Sequence, residues 1–414
     1  MTSDLPGAWK TLEAGDAPAA VRSLRHTADG LTVGDLAEFT AAVARAQGLD
    51  DLATSSEALR EQPDSAQACY DFGFECLEAG APHLAVPALR AARRLAPAAA
   101  PALWELVSAL EDQERHGDAV RELRAWEGDL PDWPGGYLLA YNALCSGDAG
   151  TAREVLDRLS TPDDDSWDLA HDRITRMVDR AGAARAAGPM DERDLRGWQF
   201  ALTGAVLGQI SPHGFDEGMN GRFAYLGDSY TSCLTGLRDL AAVLGATGQR
   251  PDAVMPLPDR SSRILGLAAA RSLDLPVVPV DPERSDAVVV AYDLNDTDPE
   301  LLRRLVPRAP GQILFEHASC WTSPPGATAD VVSVLHQQVV RPWGESFRVV
   351  DGGVEQVPAD DAPEEELAER ILAAEAEERD PALTPFAEAV TDHWARGPRL
   401  PVATSGPVRS SRFE

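Results

Sequence analysis

The sequence predicts a multidomain chain: an all-α helical-repeat solenoid followed by an α/β domain with a mostly parallel sheet. Three observations carry that expectation. Pro63, Pro97 and Pro131 stand thirty-four residues apart, and the residues between them repeat one helix-pair pattern. From Pro251 onward, short apolar runs alternate with helical stretches, the rhythm of strand–helix–strand units. The run "AVVVA" at Ala287–Ala291 is apolar throughout, as in a strand covered on both faces. A chain of 414 residues is also too long for one compact core. The expected divisions are repeats over 1–160, a helical bridge with a Gly-rich loop over 161–250, and the α/β domain over 251–360. Acidic and C-terminal helices follow over 361–395, with a disordered tail over 396–414.

The repeat can be followed position by position. One copy carries Cys69, Phe72, Gly73, Cys76, Ala85, Leu89, Ala92 and Pro97. The next carries Leu103, Leu106, Val107, Leu110, Ala119, Leu123, Trp126 and Pro131, and a third begins at Tyr137, Ala140, Tyr141 and Leu144. Large apolar residues build the first helix of each unit. Gly73 leaves a notch for the second helix, Ala85 and Ala92 permit close packing, and the proline ends the unit. Earlier copies are worn: "EAGDAPAAV" echoes "EAGAPHLAV", but Asp51 stands where Ala85 and Ala119 stand later. This pattern resembles tetratricopeptide repeats, whose period is about thirty-four residues. The resemblance implies a stacked solenoid that holds a protein or peptide partner along its concave face. Relatives that bind acidic tails use a basic clamp there; Arg90, Arg93 and Arg121 are the candidates on this chain, without an ordered clamp pattern.

Beyond Thr161 the polar break "TPDDDSWD" precedes two helical stretches, over 167–188 and 191–210. Then "SPHGFDEGMNGRFAYLGDSY" reads as a long loop with a short strand at "RFAYL". His213, Asp216, Glu217, Asn220, Arg222 and Asp228 make it rich in polar chemistry, either as a lid over a site or as a solvated crossover. In the α/β region, "DAVMPLP", "PVVPVD", "DAVVVAYDL" and "GQILFEHAS" read as strands, and "VVSVLHQQVV" as a helix or a further strand. "FRVVDGGVEQV" reads as a hairpin turning at Asp351–Gly353, and "DDAPEEELAERILAAEAEE" as an acidic helix with a solvated face.

Ligands of open α/β sheets bind beyond the carboxyl ends of the strands. Asp259, Arg260, Ser261 and Ser262 stand at the end of the first strand, where a helix N-terminus favours an anion. Asp293, Asn295 and Thr297 follow the third, with Glu316 and His317 on the fourth. The order of these segments resembles a phosphoribosyltransferase. In that family the strand is followed by two acids, an apolar residue and a threonine- and glycine-rich turn that cradles a phosphate. Here Tyr292 replaces the first acid, Asp293 fills the second, and Leu294 is the apolar residue. "NDTDPELL" keeps Thr297 but has no glycine, and Asp296 and Asp298 repel phosphate.

The chain is therefore read as a non-catalytic cytoplasmic protein-binding or regulatory scaffold. The alternative is an enzyme acting on a sugar-phosphate or nucleotide, with Asp293 and His317 as catalytic candidates and magnesium entering only under that alternative. His317 and Cys320 in "EHASCW" are a candidate base–nucleophile pair. Net charge of -30 argues against nucleic acid and anionic membranes. No apolar stretch approaches a membrane span, and the N-terminus lacks secretory features. Five scattered cysteines without a CxxC pair indicate neither disulfides nor a metal site.

Overall fold

The computed structural model describes residues 4–213, 218–350, 353–375 and 377–411. Backbone contacts divide the chain into Met1–Ile174 and Thr175–Glu414. The first part is helical and the second carries a parallel sheet. No helix among the described residues is long and apolar enough to cross a membrane.

The first part is built from successive helix pairs: α1 (Leu5–Glu13) with α2 (Ala17–Ser23), α3 (Val33–Gln47) with α4 (Asp50–Glu61), and α5 (Ala66–Glu78) with α6 (Pro82–Leu95). Next come α7 (Ala100–Glu111) with α8 (His116–Arg124), and α9 (Tyr137–Cys145) with α10 (Ala149–Leu156). Capping side chains open several of them: Asp16 accepts from the amide of Ala19, Thr32 from Asp35, Ser65 from Ala68 and Asp148 from Thr151. The first four pairs share one apolar core in which Phe39, Phe72, Leu89, Leu103 and Leu106 are wholly buried. Gly73 is needed for close approach, because a Cβ there would lie 2.5 Å from Leu89 Cγ. The worn copy before Pro63 is a helix pair like the others, since the apolar positions Leu36, Phe39, Leu52 and Leu59 still face inward.

The boundary between the two parts falls within α11 (Asp168–Ala187). The helix expected over 191–210 is shorter: α12 (Leu195–Thr203) stops at Gly204, whose left-handed φ of 84° turns the chain into β1 (Val206–Leu207). The sheet then collects β2 (Phe223–Gly227), β3 (Ala253–Pro256), β4 (Ala287–Ala291), β5 (Ile313–Cys320) and β6 (Val331–Val340). Its order is β1-β6-β5-β4-β3, every pairing is parallel, and β2 continues along β6 where β1 leaves off. "PVVPVD" contributes a single bridge, Val277 beside Val254, on the outer side of β3. Counted from β3, the order is thus 2-1-3-4-5, a doubly wound order whose switch point lies between β3 and β4. The segment read as helix or strand is β6, and β7 (Ser346–Val350) pairs antiparallel with β8 (Gly353–Val357).

Helices α13 (Tyr230–Ala246) and α14 (Arg260–Leu273) pack together, with α15 (Pro299–Leu305) between β4 and β5. The acidic helix α16 (Glu364–Ala373) has more than a solvated face. It lies on α13 and α14 through buried Leu367, Ala368 and Ile371, with Glu364 and Glu369 paired to Arg263 and Arg271. Then α17 (Leu383–Val390) packs on α13.

The terminal segment, expected to be disordered, is held in place through Ser411. Arg399 is buried and donates to Asp330, to the carbonyls of Leu305 and Gln312, and to the Gln312 side chain. Val408 is also buried, and Ser411 donates its amide to the Gly218 carbonyl. Composition alone missed this order because one buried arginine and a few valines supply the anchoring, not an apolar run.

Candidate functional site

The switch point is where the sequence places a phosphate, and most of its polar groups have partners within the chain. Asp259 is the N-cap of α14 and accepts the Ser262 amide at 2.8 Å. A carboxylate therefore occupies the positive helix end that an anion would need. Ser262 Oγ accepts the Tyr292 amide at 2.9 Å, and Ser261 Oγ accepts the Trp343 indole N–H at 3.1 Å. Arg260 donates to the carbonyls of Asp360 and Ala362, both at 2.9 Å. Asp293 caps its own turn by accepting the Asn295 amide, and the Asn295 side chain donates to the Ser323 carbonyl. Asp296 is paired with Arg341. Thr297 is buried, and its Oγ1 has no hydrogen-bond partner among the described residues.

The described part of the Gly-rich loop is tied to the C-terminal segment. Asp216 and Glu217 lie outside the described residues. Asn220 donates to the Arg409 carbonyl at 2.6 Å and Arg222 to that of Val408 at 2.7 Å, so both bind the chain's own C-terminal segment.

His317 and Cys320 do not form a pair. Both lie on β5, and a separation of three residues puts their side chains on opposite faces of that strand. Cys320 Sγ lies 3.4 Å from Thr322 Oγ1, whereas His317 meets residues from two other segments. Its Nε2 is 3.0 Å from Asp228 Oδ2, just past β2, and 3.7 Å from Cys233 Sγ in the first turn of α13. Cys233 Sγ is 3.4 Å from the same Asp228 oxygen, to which the Tyr292 hydroxyl donates at 2.5 Å. The Asp228 and His317 side chains and Cys233 are all wholly buried. Trp343 meets the Tyr292 ring edge-on at 5.5 Å, and the Arg341 guanidinium lies 5.4 Å from that ring. Burial, then the nearby Asp228 charge, pushes the Cys233 thiol up.

On the other face of the sheet, Glu316 is buried and accepts the Leu294 amide at 2.8 Å. Burial, then the charge of Asp293, pushes its carboxyl up to about 8. Asp293 Oδ2 lies 3.6 Å from His336 Nε2. The two catalytic candidates, Asp293 and His317, therefore belong to separate clusters on opposite faces. Asp228 stood out in the sequence only as a loop acid and Cys233 only as a scattered thiol; the parity of β5 was the one available sign that His317 faces away from Cys320.

In the helical part, the candidate basic face is neutralised. Arg90 pairs with Asp29, Asp118 and Glu122, Arg93 with Glu122, and Arg121 with Asp118. Arg115 joins the same network through Asp29 and Asp118. The first helices carry the opposite character. Tyr70 and Phe74 stack on α5 at 6.4 Å, with Phe74 36% exposed. Burial, then the charges of Glu105 and Asp71, pushes the Tyr70 phenol up. Burial, then Asp51, Glu78 and Asp71, does the same to the Glu75 carboxyl. The aromatic pair thus sits in an acidic field.

No protein-family model matches the chain, and no curated protein matches its sequence.

Proposed function

We propose that the chain is a non-catalytic protein-binding scaffold, with a tetratricopeptide-like solenoid gripping a partner and a phosphoribosyltransferase-like α/β part serving for docking. The observation that carries this reading is the switch point. Asp259, Arg260, Ser261 and Ser262, the groups suited to a phosphate, are all engaged with partners in the same chain. Releasing them costs the hydrogen bonds they now make, and Asp259 would repel the incoming anion.

The surface of the helical part favours a basic, amphipathic partner segment over an acidic tail. Its arginines are spent on Asp29, Asp118 and Glu122, while Tyr70 and Phe74 offer an aromatic stack among carboxylates. Aromatic anchors of this kind supply most of the energy of protein interfaces, and surrounding charge sets on-rate and orientation.

Two measurements test the reading. A basic amphipathic peptide is expected to bind more tightly than its acidic counterpart, with roughly tenfold loss in Phe74→Ala and a weaker salt dependence in Asp71→Asn. Equal binding of both peptides, unaffected by Phe74→Ala, would remove the solenoid from the proposal. Thermal shift with phosphoribosyl diphosphate, nucleotides and magnesium is expected to show no stabilisation. A shift of several degrees that disappears in Asp293→Ala and Arg260→Ala would instead establish the enzyme alternative.

A further inference from the structure

We propose that Asp228, Cys233 and His317 form a binding site for one divalent transition-metal ion of the zinc type. The site is independent of the scaffold reading and lies wholly within the α/β part. Its residues come from three separate segments: the end of β2, the first turn of α13 and the middle of β5. Their nearest ligand atoms converge within 4.8 Å of one another.

The separations match a tetrahedral centre. Imidazole nitrogen to carboxylate oxygen is 3.0 Å, sulfur to that oxygen 3.4 Å, and sulfur to nitrogen 3.7 Å. An ion with bonds of about 2.0 Å to nitrogen and oxygen and about 2.3 Å to sulfur would set these edges at roughly 3.3 to 3.6 Å. One small cation therefore reaches all three atoms with only small movements of the side chains.

A second, independent observation points to a cation. Asp228 Oδ1 is buried and has no hydrogen-bond partner among the described residues. Leaving a carboxylate oxygen buried and unpaired is costly. A cation bound at Oδ2 places positive charge beside that oxygen, so the carboxylate no longer carries an uncompensated buried charge. One thiolate and one carboxylate neutralise the two positive charges of the ion. The mixed sulfur, nitrogen and oxygen set suits zinc or cobalt over magnesium or calcium.

The surrounding residues fit the same role. Tyr292 donates to Asp228 Oδ2 and fixes the carboxylate, as outer partners of metal ligands do. Gly236 on α13 leaves the space beside the ring. A Cβ there would be 2.9 Å from His317 Nδ1 and 2.3 Å from Ser333 Oγ, two buried polar atoms with no hydrogen-bond partner among the described residues. With the ligands wholly buried, the ion is taken up as the chain folds and acts as a structural clasp between β2, α13 and β5.

The contrasting account is a network of hydrogen bonds in which Tyr292, His317 and Cys233 all donate to one carboxylate oxygen. Metal content separates the two. The full chain, free of any affinity tag, is unfolded with chelator, refolded with zinc(II) or cobalt(II), and passed over a desalting column. About one equivalent of metal per chain is expected, with a cobalt–thiolate charge-transfer absorption in the near ultraviolet. The absorption should vanish in Cys233→Ser and persist in Cys320→Ser. Asp228→Asn, which retains a hydrogen-bonding side chain, should lower metal affinity at least tenfold. Folded wild-type protein with less than about a tenth of an equivalent of either metal and no cobalt absorption overturns the site. So does an absorption that survives in folded Cys233→Ser; if that variant does not fold, the wild-type stoichiometry and the Asp228→Asn affinity decide.

Discussion

Ser262 Oγ accepts the main-chain amide hydrogen of Tyr292 at 2.9 Å, tying the first turn of α14 to the end of β4 across the switch point of the sheet. Both residues are wholly buried, and the bond lies at the crevice in which ligands of this architecture usually sit. Ser262→Ala leaves the Tyr292 amide without that acceptor in a dry environment. The expected loss is about 1–3 kcal/mol, read from the urea midpoint at unchanged slope. A midpoint equal to the wild type would show that the bond is replaced by water and the crevice is open.

Gly73 and Leu89 make the equivalent test in the helical part. Gly73→Ala forces a methyl group to within 2.5 Å of Leu89 Cγ and should cost about 1–3 kcal/mol. Leu89→Ala removes the obstacle while leaving a cavity of its own. The double variant should therefore be more stable than the sum of the single losses predicts, a coupling measured by a double-mutant cycle. Strict additivity would mean that the helices separate without strain.

The Asp330 network fastens the C-terminal segment to the base of β6. Burial pushes the carboxyl up, but Arg399 and Arg308 outweigh it and hold the group at about 2. Asp330→Ala removes the carboxylate partner of buried Arg399 and half-buried Arg308 and should cost about 3 kcal/mol. Truncation after residue 396 removes Arg399 and Val408 and should expose residues 218–222 to protease. Protection of that loop in the truncated chain would show that the segment is only a passenger.

Glu111 gives the helical part a dependence on pH. Burial pushes its carboxyl from 4.5 up to about 7, opposed by a hydrogen bond from Asn142 and the Arg173 charge and reinforced by Asp112. The Asn142 side chain also contacts the ring of His116. A raised acid keeps its proton in the folded state while the unfolded chain loses it. Its contribution is complete below about pH 4.5 and lost as pH rises through about 7, by at most roughly 3 kcal/mol. Glu111→Gln should therefore flatten the decline in thermal midpoint between about pH 5 and 8. An identical slope in the variant would assign the decline to other groups.

The architecture was legible wherever a pattern is local. The thirty-four-residue spacing marks helix pairs because each unit must bury the same stripe, and the apolar run at Ala287–Ala291 marks a strand covered on both faces. Legibility failed where a short range of sequence supports two outcomes. "VVSVLHQQVV" reads as helix or strand until its neighbours supply hydrogen bonds, and the 191–210 stretch carries a helical pattern that Gly204 interrupts. Polar residues at strand ends were found, but not whether they face a ligand or their own chain.

The sequence by itself determined the helical first part, the parallel character of the second and the positions of the strand ends, because periodicity and turn chemistry act over a few residues. Only the tertiary structure decided what those ends meet. Asp228, Cys233 and His317 are up to eighty-nine residues apart, and their convergence depends on α13 packing on β5 and on β2 pairing with the neighbouring β6. Charge and hydrogen bonding act through space, so the same side chain is a ligand, a cap or a clasp according to which distant segment folding brings beside it.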